Sequence, residues 1–149
     1  SNFMWGGMTT TAGGNVVTGS VIVDAAPVNP EFLLKSNPDV IVLTGSYWPK
    51  TPEALLMGYT ATPASVQKQL GEFAQRPGWS EFNAIKNKRL YAVHHGAGRE
   101  LYDYVTLMAL GKFFYPEEFK DVNPEAELKA YYKNYLPYDV SGVWFYQWK

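Results

Sequence analysis

Two uninterrupted apolar runs, Val40-Ile41-Val42-Leu43 and Leu90-Tyr91-Ala92-Val93, stand out in a chain that otherwise repeats its apolar residues at helical spacing. Neither run alternates with polar residues, so each predicts a strand covered on both faces. Asn29-Pro30-Glu31 supplies an N-cap, a proline at the first helical position and an acid in the first turn, predicting a helix from about Pro30 to Ser36. Thr62-Pro63 opens a second helix with Val66, Leu70 and Phe73 on one face. Trp79 to Ile85 reads as a short helix before an Asn87-Lys88 turn. The strongest helical stripe, Leu101, Val105, Met108 and Ala109, runs on to about Phe114, where Pro116 stops it. Asn123-Pro124-Glu125 starts a last helix with Leu128, Tyr131, Tyr132 and Tyr135 on one side.

The remaining segments are weaker. Residues 3 to 19, with paired glycines and a threonine run, predict a loop carrying at most one short strand, and Val21-Ile22-Val23 predicts another strand. Ser46 to Thr60 is loop-like, with room for a helical turn between Pro52 and Met57. The aromatic tail, Ser141 to Trp148, is either a final strand or a cover over the core.

Strands alternating with helices define an α/β chain: a mostly parallel sheet with helices on both faces, in three αβα layers. Val40–Leu43 and Leu90–Val93 are expected as internal strands of one sheet, flanked by helices beginning near Pro30, Pro63, Arg99 and Pro124. Residues 3–149 suit a single lobe with a core of ordinary size, and Ser1-Asn2 reads as the remnant of a cleaved tag.

Composition narrows the function classes. A net charge of −1 gives no broad attraction for nucleic acid or an anionic membrane surface. The absence of cysteine excludes disulfides, thiolate metal sites and a cysteine nucleophile. No stretch reaches the roughly 20 apolar residues of a membrane span. The aromatic share is high at 16%, with eleven Tyr and five Trp, residues that line clefts and interfaces as well as cores.

In a parallel α/β sheet, ligands sit beyond the carboxyl ends of the strands. That points to Thr44-Gly45-Ser46-Tyr47-Trp48-Pro49 after the first run and to His94-His95-Gly96-Ala97-Gly98-Arg99-Glu100 after the second. Arg99 presents a planar fork suited to carboxylate or phosphate-like oxygens beside an expected helix N-terminus, or else pairs with Glu100 or Asp103 at the surface. Tyr47 and Trp48 either stack on a flat ligand or cap the sheet. A metal site of His94, His95 and Glu100 is disfavoured, because successive strand side chains point to opposite faces. The plainer alternative has one histidine bonded inside the scaffold and the other exposed. The chain lacks Gly-x-Ser-x-Gly, a phosphate loop and His-Glu-x-x-His, and Gly96-Ala97-Gly98 is too short for a dinucleotide fingerprint. The competing reading is an α/β hydrolase, metal-dependent or serine-type, assembling Ser46, His94 or His95 and Asp103 from scattered loops.

Three stretches taken in order carry a resemblance: VNPEFLLKSNPDVIVLTG, RPGWSEFNAIKNKRLYAV and RELYDYVTLMALGKFFYPEEFKDVNPE. Together they resemble the carboxy-terminal half of the iron-siderophore, haem and cobalamin class of periplasmic binding proteins. The similarity runs from about Val28 to Glu125 and leaves the Gly-rich opening outside it. It implies a Rossmann-like lobe, one of two joined by a long rigid helix, with ligand held between them after a small closing motion. It further implies a non-enzymatic substrate-binding component of an ABC importer. Its partners would be a small-molecule ligand (ferric siderophore, haem, cobalamin or oxyanion), ABC permease subunits and an amino-terminal lobe. No cofactor and no nucleic acid are implied. The location would be periplasmic or extracellular, and compatible with a lipid anchor upstream. By position, the ligand-facing residues would be Ser46, Tyr47, Trp48, His94, His95 and Arg99.

Overall fold

Three strands form the sheet of the computed structural model, which describes residues 4–19, 26–51 and 53–149. β1 (Ile41–Gly45) runs parallel to β2 (Leu90–His94), pairing Ile41 with Leu90 and Gly45 with His94. β3 (Phe145–Gln147) lies antiparallel on the other side of β2. The sheet is therefore mixed, in the order β1-β2-β3. The expected strand at Val21–Val23 falls outside the described residues.

Alternation along β2 divides the core into two clusters. Leu90 and Ala92 pack with Val66, Leu70 and Ala74 of α3 (Pro63–Ala74), and with Phe82, Ala84 and Ile85. Tyr91 and Val93 pack on the opposite face with Val105, Ala109, Leu110 and Phe113 of α5 (Asp103–Phe114), and with Leu128 and Tyr132 of α6 (Pro124–Tyr135). Successive strand side chains point to opposite faces, so a continuous apolar strand is what a three-layer αβα unit requires.

The helix starts follow local chemistry. The Asn29 carboxamide accepts from the Glu31 amide to cap α2 (Pro30–Ser36), and Asn37, at φ 40°, ends it. Thr62 and Ser65 close a reciprocal capping box on α3. Asn123 accepts from the Ala126 amide at the head of α6. Trp79 to Ile85 divides at Phe82 into a 3-10 turn (Trp79–Glu81) and α4 (Asn83–Lys86).

Five expectations need correction. The opening is a helix, α1 (Met4–Thr11), not a loop. Trp5, Met8 and Ala12 pack against the second cluster, and that burial outweighs the cost of Gly6 and Gly7, about 0.5–1 kcal/mol each relative to Ala. β1 is half-buried and lies at the edge of the described sheet instead of inside it. Ile41 and Leu43 pack on one cluster and Val40 and Val42 on the other, so both its faces are covered while one edge has no described strand beside it. The helix expected near Arg99 starts at Asp103, leaving Leu101 86% exposed and outside the apolar stripe. Residues 53–57 form a turn and extended chain, with no helical turn. Of the α6 stripe, Leu128 and Tyr132 are buried whereas Tyr135 is exposed.

Candidate functional site

Parallel pairing sets the two loops side by side. Gly45 lies opposite His94, so the chain leaves β1 at Ser46 next to where it leaves β2 at His95. His95 to Arg99 wind into a 3-10 turn, which separates the surroundings of the two histidines. Gly45 is needed at this point, since a Cβ there would meet the side chains of Met57 and Leu55 and the Leu55 carbonyl.

His94 looks inward. Its ring meets Trp144 edge-on at 4.5 Å and lies against Gly58 and Gly96, where added Cβ atoms would stand 2.8 and 2.9 Å from it. Nε2 is 3.5 Å from the Ser46 hydroxyl, and Nδ1 is buried without a partner among the described residues. An orphaned lone pair costs less than an orphaned N–H or a cation, which favours a neutral ring with its proton directed at Ser46. Ser46 and His94 thus meet, but among the described residues no carboxylate orients the imidazole from behind, as an activated nucleophile would need.

His95 looks outward and sideways. Its Nδ1 takes a hydrogen bond from the Trp5 indole at 3.3 Å and is 3.3 Å from the Thr44 hydroxyl. The Trp5 ring lies 6.0 Å from that of His95, tilted, and the Trp48 ring 5.8 Å from it, edge-on. Both histidines are half-buried, so the expectation of one enclosed and one exposed histidine does not hold.

Arg99 is exposed, with Nε 3.0 Å from the Met4 sulfur. Ion pairs among the described residues are Lys68–Glu72 and Lys86–Glu81, so the alternative pairing of Arg99 with Glu100 or Asp103 is not found there. Nor does it sit beside a helix N-terminus, since α5 starts only at Asp103. Trp48, His95 and Arg99 form one neighbourhood, while Tyr47 projects into solvent, 67% exposed. Among the described residues no group of three or more His, Asp and Glu could hold a metal ion, which removes the His94–His95–Glu100 set.

Two participants escaped sequence reasoning. Trp5 was hidden by the loop reading of residues 3–19, although Trp5, Met8 and Ala12 have the three-and-four spacing of one helix face. Trp144 carries no local signal, and Thr44 stands in the first strand-end loop without any sign of its bond to His95. Beyond Trp144 a wall of phenols continues: Tyr59 meets the Trp144 ring at 5.0 Å, and its hydroxyl lies 2.7 Å from that of Tyr132, which is 3.4 Å from that of Tyr102. Burial pushes all three phenols above the ordinary tyrosine range, so the wall is uncharged.

Burial lowers the pKa of His94, with His95 adding to it, and burial followed by the Arg99 charge lowers that of His95. Between the folded values and the unfolded value near about 6.5, the unfolded chain binds more protons, so stability falls as pH drops through that window. Urea midpoints should decline from about pH 7.5 to about pH 5.5, and His94→Gln should flatten the decline. An unchanged slope in that variant would remove His94 from the effect.

An αβα unit with aromatic and basic loops at the carboxyl ends of parallel strands belongs to the Rossmann-like ligand-binding class. Residues 2–96 match the periplasmic binding protein family, including the opening that the sequence reading left outside the resemblance. The chain belongs to that family. It superposes with a TM-score of 0.96 on the crystal structure of the TroA-like periplasmic binding protein FepB from Veillonella parvula, at 47% identity over 99% of this chain and 43% of that one. A periplasmic solute binding protein from Veillonella parvula DSM 2008 shares the fold, with a TM-score of 0.62 at 18% identity over 94% of this chain and 39% of that one. The chain thus spans about two fifths of the length of these structures. Among curated proteins none matches. The family implies a periplasmic location and a substrate-binding role.

Proposed function

We propose that this lobe is part of the substrate-binding component of an ABC importer, and that it takes an iron complex, or a related metal chelate or anion, in a cleft closed by a second lobe. The observation that carries the reading is the neighbourhood at the ends of β1 and β2. There Arg99, a cation without a carboxylate partner among the described residues, acts on His95, whose ring neighbours those of Trp5 and Trp48. Flat aromatic surface suits the organic part of a chelate, and guanidinium suits its anionic oxygens. Ser46, Tyr47 and His94 complete the proposed ligand face. The resemblance to the siderophore, haem and cobalamin class supports the ligand choice. Span supports the second lobe, since the FepB structure is more than twice as long. ABC permease subunits as partners, and a lipid anchor upstream, belong to the same proposal.

In the full-length protein, Arg99→Ala should weaken binding of an anionic ligand by about 1.5–3 kcal/mol, the range for a hydrogen bond to a charged group. Calorimetric titration of wild type and variant with ferric chelates, haem and oxyanions measures this. Equal affinities for whichever ligand the wild type binds would take Arg99 out of the site.

A further inference from the structure

The bond from Trp5 to His95 fixes more than the position of a ring. An indole N–H can only donate, so the Nδ1 it approaches must present a lone pair. The Thr44 hydroxyl, at the same distance from the same nitrogen, can donate as well. With Nδ1 unprotonated, a neutral imidazole carries its proton on Nε2. That nitrogen has no partner among the described residues, yet it is absent from the buried unpartnered atoms there, unlike Nδ1 of His94, so it is open to solvent. The charged group nearest the ring is Arg99, and the other titratable neighbour is His94, held neutral by burial. Arg99 offers no acceptor, and the free Nδ1 of His94 takes no hydrogen bond from it among the described residues.

We propose that His95 is a fixed Nε2–H donor, locked by the Trp5 indole, and that it reads an anionic oxygen on the ligand and not a bare metal ion. This rests on the binding role argued above and narrows its ligand class. Metal-ligating histidines give their second N–H to a carboxylate, carbonyl or water, which leaves the first nitrogen free to coordinate. Here the polarity is reversed, because the second nitrogen receives an N–H. Coordination through Nε2 would drive the proton onto Nδ1, facing it against the indole N–H and losing the bond. The described residues also offer no set of carboxylates or further histidines to share an ion. The acceptor is therefore the outer oxygen of a coordinatively filled chelate, or a free oxyanion, two sources of one chemistry.

Long-range nitrogen–proton correlation spectra of the full-length protein test the lock without a ligand. Expected for His95 are a pyridine-type Nδ1 and a pyrrole-type Nε2, unchanged by equimolar zinc chloride, and a mixture of tautomers in Trp5→Phe. An unprotonated Nε2 in the wild type, or zinc capture that moves the proton to Nδ1, would overturn the inference. Calorimetry with ferric citrate, a ferric catecholate and phosphate tests the acceptor and separates chelate from free oxyanion. For each probe the wild type binds, His95→Ala should lose about tenfold in affinity, whereas His95→Gln, which keeps an N–H, should stay within about threefold. Unaltered binding in His95→Ala would overturn the recognition role. Failure of the wild type to bind any of the three, with the tautomer as expected, would count against the import reading and leave the lock standing.

Discussion

Gly142→Ala is expected to destabilise the lobe by about 3 kcal/mol or more, through a strained backbone and a collision that cannot relax. Gly142 sits at φ 80°, in the left-handed region, and a Cβ there would run into the carbonyl of Gly58 and the backbone of Tyr59. Those atoms are held from the other side. Gly58 and Val143 exchange a reciprocal pair of backbone hydrogen bonds, at 2.7 and 3.1 Å, which ties the segment before β3 to the loop after β1. Gly58 itself rests on the His94 ring, so the damage would reach the candidate site. Gly71, in the interior of α3, is the control: its added Cβ would only touch Trp148 at 3.7 Å, and Gly71→Ala should gain about 0.5–1 kcal/mol. Urea unfolding of both variants decides the matter, and equal midpoints would refute the argument from Gly142.

Phe82→Ala should cost about 3–5 kcal/mol, the range for truncating a fully buried aromatic residue. Phe82 is 1% exposed and stands where the 3-10 turn breaks into α4, its ring meeting Trp79 edge-on at 5.8 Å. It fills the cluster beneath Leu90 and Ala92, so removing it opens a cavity under the strand that carries the histidine loop. Arg76 lies over Phe73 at 4.0 Å on the rim of the same cluster and cannot follow into that space as a charged group. Denaturant titration measures the loss. A loss below about 1 kcal/mol would show that the core closes over the gap.

The parts of this fold that were legible in sequence are those with a local physical cause. The Asn-Pro-Glu helix starts, the proline stop after Phe114 and the unbroken apolar β2 all depend on residues within a few positions of one another. What escaped depends on partners distant along the chain. α1 has poor intrinsic helical character, and its Trp5 and Met8 gain their burial from α5 and the histidine loop about ninety residues away. An apolar run reports that both faces of a strand are covered but says nothing of whether another strand lies beyond its edge, which is why β1 was read as internal. Strand-end logic picked out Trp48, His95 and Arg99, which the fold brings near one another, while the 3-10 turn pushed the next helix downstream and left Leu101 in solvent. The bonds of Trp5 and Thr44 to His95 were invisible because hydrogen bonds spanning 90 and 51 positions leave no local pattern.

The central claim is that ligand meets this lobe at the carboxyl ends of its two parallel strands. Amide hydrogen exchange on the full-length protein, with and without a saturating ferric chelate that calorimetry shows to bind, addresses it directly. The account predicts slowed exchange confined, within this lobe, to the amides of Thr44–Trp48 and His94–Arg99. Protection elsewhere in the lobe with both of those loops unchanged would contradict it.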